Sequence, residues 1–185
     1  MKPKVITSAF FTSAINSWLI SSYLGNNAFS YCSILNSITI PEGVTSIGSS
    51  VFSECRNLKS VTFLGSNFSI RNYLFQKCIS LQSVDFPNSV TSIGTSVFSE
   101  CSQLQKIVIP KGAKTLEYGL FSSCLVLQSV VIPDSVTQIE SSAFSGCSKL
   151  QNIVIPNSVT SIAGAFSNCY SLQSITCETM TAPII

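Results

Sequence analysis

Apolar and polar positions along this chain recur with one fixed period. Leu35, Leu58, Leu81, Leu104, Leu127 and Leu150 step by 23 residues, and Leu172 follows after 22. Cys32, Cys55, Cys78, Cys101, Cys124 and Cys147 keep the same step, and Cys169 again follows after 22. A period of this length is the mark of a solenoid, one supersecondary unit stacked on itself. The unit is clearest from Leu127 to Lys149. Its opening alternation predicts a short strand with Val130 and Ile132 on one side and Val131 on the other. Pro133 then stops the strand, since it has no N–H to give a ladder, and proline recurs at Pro41, Pro87, Pro110 and Pro156. Asp134-Ser135 reads as a turn. Val136 and Ile139 predict a second short apolar segment. Ala143, Phe144 and Cys147, at i, i+1 and i+4, suit one helical turn with a buried face.

One coil cannot bury this apolar set by itself, whereas stacked coils can. Seven strand segments at about 4.8 Å per coil give a core about 30 Å long. Each core position then becomes a column of like residues. The aromatic column is Phe29, Phe52, Phe75, Phe98, Phe121, Phe144 and Phe166. The expected architecture is a repeat solenoid. Parallel strands stack on its concave face, and short strands or helical turns form its convex face. Residues 1–19 fit the repeat poorly and read as a degenerate N-terminal coil or cap. Residues 20–177 form the solenoid and 178–185 a C-terminal tail.

The pieces LNSITIPEGVTSIGSSVFSEC, LQSVDFPNSVTSIGTSVFSEC and LQSVVIPDSVTQIESSAFSGC resemble BspA-like leucine-rich repeats. The resemblance spans about residues 20–177. Proline follows the strand in that class, as it does here. It implies a non-enzymatic surface protein that binds host or extracellular-matrix proteins, or other cells, and so a cell-surface or extracellular location. The alternative is an intracellular structural or scaffolding repeat, which leaves a cytoplasmic location open.

Composition narrows the chemistry. Only 10% of the 185 residues are charged and the net charge is +2. There is no run of Lys or Arg, so nothing marks a nucleic-acid footprint. The run from Val5 to Ile20 is too short and too polar for a membrane span. The chain has no histidine, no Cys-x-x-Cys pair and no converging carboxylates, so no catalytic, cofactor-binding or metal residues are assigned. Seven of the eight cysteines point the same way from successive coils. Parallel side chains cannot converge into disulfides, and the column reads as small apolar core thiols.

The outward columns of the strand face are the remaining candidate surface. They contain Gln82, Gln105, Gln128 and Gln151 in one file, and Asp85, Val108, Val131 and Val154 in another. The glutamines also fit a structural amide ladder, and the valines fit simple strand preference. The functional reading is a protein-binding strip on the concave side, an apolar line flanked by amides. Two irregularities stand out. Asn67 and Phe68 break the pattern in the unit from Leu58, and the unit from Leu150 is one residue short. No polar capping repeat closes the C-terminus, which predicts end-to-end self-association of the isolated chain and fits a piece of a longer repeat protein.

Overall fold

The computed structural model describes residues 22–65, 69–87 and 89–178. The assigned N-terminal coil at residues 1–19, the irregular Asn67-Phe68 and the tail from Thr179 lie outside the described residues. The chain is a parallel β-solenoid of about seven turns. In chain order its strands are β1 (Tyr23–Leu24), β2 (Ser37–Ile40), β3 (Ser46–Ile47), β4 (Ser60–Phe63), β5 (Lys106–Val108), β6 (Thr115–Leu116), β7 (Ser129–Val131), β8 (Gln138–Ile139), β9 (Asn152–Ile155), β10 (Ser161–Ile162) and β11 (Ser174–Cys177). Every pairing is parallel and one repeat apart: Ser37 faces Ser60, Lys106 faces Ser129, and Ser174 faces Asn152 across the shortened unit.

Strands β2, β4, β5, β7, β9 and β11 lie on one face, in the pairs β2–β4, β5–β7 and β9–β11. The expected continuous stack of seven is therefore interrupted. The coil at 81–87 forms no strand, and among the described residues its backbone bonds the neighbouring coils near Gln82, whose N–H bonds Lys59 O and whose carbonyl accepts from Gln105 N, both at 3.4 Å. One core column changes beside this coil. Ile40, Ile109, Ile132 and Ile155 are buried there, but Phe63 and Phe86 occupy the two coils between Ile40 and Ile109 and are only partly buried. Their rings are 5.9 Å apart and tilted by 30°, and Phe86 meets Phe98 edge-on at 5.9 Å. Two adjacent rings thus stand beside the unpaired coil where other coils carry isoleucine; the ladder also parts between β7 and β9, where Ile132 and Ile155 fill the same column.

The other strands run along the opposite side, as β1–β3 and β6–β8–β10, with a single bridge between Ile70 and Ile93. Beyond them, the expected helical turn is not present. The segment around each phenylalanine instead alternates two kinds of bond. The N–H groups of Ser50, Phe52 and Glu54 reach the carbonyls of Asn72, Leu74 and Gln76 in the next coil. Those of Ser53 and Cys55 turn back to Ser50 and Phe52. Ser50 (φ 57°) and Glu54 (φ 62°) are left-handed, as are their counterparts Ser96 (φ 53°) and Glu100 (φ 62°). A helix would spend every N–H inside its own coil and leave none for the neighbour. The left-handed residues each cost on the order of 1 kcal/mol, and the inter-coil bonds over-determine them. Gly119 and Gly146 relieve that cost in two coils, at φ 60° and 74°.

The core is built on the aromatic column. Ring centroids from Phe29 to Phe166 are 5.2 to 5.7 Å apart, and all six successive pairs are stacked within 21° of parallel. The five from Phe52 to Phe144 are fully buried. The cysteine column runs beside it and is more than filler. Cys78 Sγ donates to Phe52 O at 3.1 Å, and Cys55, Cys101, Cys124, Cys147 and Cys169 repeat the contact. Each thiol thus reaches back to the coil before it. All eight cysteines are free, as the parallel geometry requires.

Two predictions follow from this packing. Truncating Phe98 to Ala removes a ring stacked on both sides and should cost about 3–5 kcal/mol. The half-buried Phe166 should cost less, and urea denaturation of the two variants gives the order. The thiols provide a second check. Burial pushes Cys78 and Cys147 up to about 12 from an ordinary 9.0, and raises Cys101 and Cys124 as well. These four, with Cys55, should resist alkylation until denaturant is added, while the exposed Cys177 reacts at once. Above pH 9 the unfolded chain gives up thiol protons that the folded chain keeps, so stability should fall as pH rises toward 12. Fast native labelling of the buried set, or a flat stability profile above pH 9, would contradict this.

Candidate functional site

The alternation read from the sequence places the candidate residues outside. Ile107, Ile109, Ile153 and Ile155 are buried, while Val108, Val131 and Val154 between them are 63%, 54% and 49% exposed. Asp85, Gln82, Gln105, Gln128 and Gln151 are exposed as well. The glutamines share one file, but no hydrogen bond joins their side-chain amides among the described residues. They line the face without forming an amide ladder.

Three of the eight candidates come together. Asp85, Val108 and Val131 border a depression of about 690 Å³. Val154 and the four glutamines stand beside it and outside its lining. The rest of its wall includes residues that were not among the candidates: Phe86, Pro110 and Pro133 on the apolar side, with the charged Lys111, Asp134 and Glu178. The available signal was the proline column. Proline ends each strand and swings the chain over the core edge, so the turns after Pro110 and Pro133 overhang the last outward residues of β5 and β7. Phe86 could not have been placed so easily, because its position depends on the break in the ladder. The depression sits where the unpaired coil meets β5.

The lining carries three carboxylates, Asp85, Asp134 and Glu178, against one ammonium, Lys111. Most of the remaining lining is apolar. Such a surface can bind by desolvating the apolar part, with the charges setting orientation. Among the described residues no group of three or more cysteine or acidic side chains could hold a metal ion. Among the same residues, no helix is long and apolar enough to cross a membrane.

Comparisons with known proteins agree with this architecture. A leucine-rich repeat protein of T. pallidum shares 30% sequence identity, with a TM-score of 0.69 over 81% of this chain and 71% of that one. A leucine-rich cell surface protein of Faecalibacterium prausnitzii shares 31% identity, with a TM-score of 0.64 over 86% of this chain. The present chain covers about half of that protein, 52% of its length. No curated protein matches. Repeats of this kind are generally non-enzymatic protein-interaction modules. Residues 4–81 and 68–184 match the model of the BspA-type leucine-rich repeat region, in six copies, and with the solenoid just described this shows that the chain belongs to that family.

Proposed function

We propose that this chain is a non-enzymatic protein-interaction module displayed at a cell surface, and that the strand face makes the contact. The observation that carries the reading is the row Val108, Val131 and Val154, three apolar side chains about half exposed or more on consecutive coils. Scattered apolar residues are normal on any surface, but an aligned row beside an apolar depression is not. Its neighbours Gln105, Gln128 and Gln151 present exposed amides without a side-chain hydrogen bond among the described residues, which suit the main chain or polar side chains of a protein ligand. The adhesive role toward host or matrix proteins rests on the family, and the surface location on the F. prausnitzii relative described as a cell surface protein.

The valines are also a clean target for mutation. Outward substitutions away from special features cost about 0.5 kcal/mol each, so the triple change to Asp should leave the rod folded. Binding to a partner recovered by pull-down should be lost, because three carboxylates would have to be desolvated in the contact. The same change at Gln138, Ser141 and Ser161 on the opposite side is the control. Unimpaired binding by the valine variant, with loss in the control, would place the contact on the other face. Location is checked separately by protease treatment of intact cells, which should remove the protein. Full protection in intact cells, with digestion after lysis, would favour an intracellular scaffold.

A further inference from the structure

The side opposite the strand face carries a second feature, visible when one column is followed coil by coil. Gly25, Gly48, Arg71, Gly94, Glu117 and Glu140 occupy equivalent positions at steps of 23 residues. The ladder confirms the alignment: the N–H groups of Gly48, Gly94 and Glu140 each bond the carbonyl of the residue before the previous member, Leu24, Ile70 and Leu116. Gly94 is without a side chain for a local reason. A Cβ there would collide with Asn72 Oδ1, which accepts the N–H of Thr95 at 3.1 Å. The column therefore dips at Gly94, between a guanidinium on one side and a carboxylate on the other.

The dip is a cleft of about 370 Å³, walled by Arg71 and Glu117 and lined by Ser69, Ser92 and Thr95. Arg71 also walls a second cleft of about 300 Å³ over Gly48. Its guanidinium is exposed and makes no ion pair or hydrogen bond among the described residues. The ion pairs found there both belong to Glu54, with Arg56 and Lys77. Glu117 is half-buried and also has no cationic partner among the described residues. Burial, and then the charge of Glu140, hold its carboxyl above the ordinary range. Each wall of the cleft is thus an ion with no counter-ion among the described residues.

We propose that this cleft binds a short peptide by both ends, its carboxylate on Arg71 and its ammonium on Glu117. The spacing selects the length. Arg71 and Glu117 are two coils apart, about 10 Å at the usual strand spacing. An extended tripeptide spans about 10 Å at 3.3–3.6 Å per residue, whereas the two charges of a free amino acid are too close to reach both walls. The hydroxyls of Ser69, Ser92 and Thr95 supply donors and acceptors for the peptide groups between. Arginine takes a terminal carboxylate through two parallel N–H···O bonds. The cleft volume is at the lower end of small-ligand sites, about 300–1,000 Å³. The site lies away from the valine row and stands independently of the reading given for that face.

The test is an NMR titration of the whole chain with trialanine, followed at the backbone amides of Gly94 and Thr95. Saturable shifts are expected, together with a fall in the Glu117 carboxyl pKa when the ammonium docks. N-acetyl-trialanine and trialanine amide should each bind about tenfold more weakly, the effect of one charge-assisted contact, and alanine should not saturate. Arg71→Gln should abolish the penalty for amidation and keep that for acetylation. Glu117→Gln should do the reverse. Both side chains reach solvent, so neither variant should unfold, which circular dichroism checks. No saturable shift with trialanine, or equal binding of the free and blocked peptides, would overturn the proposal.

Discussion

Everything in this rod depends on one constraint: no coil can satisfy itself. A single repeat leaves its phenylalanine, leucine and isoleucines half covered, and its backbone sends every second N–H outward to the next coil. The stacked rings from Phe29 to Phe166 and the bonds that flank them, such as Phe52 N to Leu74 O, are two expressions of that dependence. Burial and hydrogen bonding act along the same axis, so stability is a sum of contacts between neighbours. The last described coil shows the reverse case, with β11 exposed throughout and Ile175 45% exposed.

The cysteines fit the same logic. A buried carbonyl that is left short of donors is costly. Each phenylalanine carbonyl from Phe52 to Phe121 accepts the N–H of its own cysteine, as Phe98 O does from Cys101 N, and the thiol of the following coil. Alanine would fill less space and bring no donor, and serine would bring a donor at a higher desolvation cost. A small apolar side chain with a weak S–H suits this buried slot. This explains a conspicuous run of thiols without oxidation, metal or catalysis.

The two faces of the rod differ in how freely they vary. Inward columns are held by packing, whereas outward columns carry whatever the surface needs. On the strand side this yields an apolar row beside a depression with acidic residues in its lining. On the other side, a glycine column interrupted by Arg71 and Glu117 yields a polar cleft with opposite charges at its ends. A strictly periodic scaffold makes such sites by placing residues 23 apart on adjacent coils, which turns sequence distance into a few ångströms.

Column membership was therefore decided by the sequence alone. The period puts Val108, Val131 and Val154 in line, and the alternation with Ile107 and Ile109 turns them outward. The free thiols followed from the same arithmetic. Only the tertiary structure decided whether neighbours in a column fit. Phe63 and Phe86 each satisfy the apolar pattern, yet side by side they stay only partly buried with their rings tilted, and Phe86 joins Asp85, Pro110 and Asp134 around the depression. The turn around Phe144 is a second instance. Its spacing suits a helix, but the coil below competes for the same N–H groups and wins, leaving left-handed turns. Periodicity is a property of single positions and can be read along the chain. Volume and hydrogen-bond competition belong to pairs of coils, and are settled only when the coils meet.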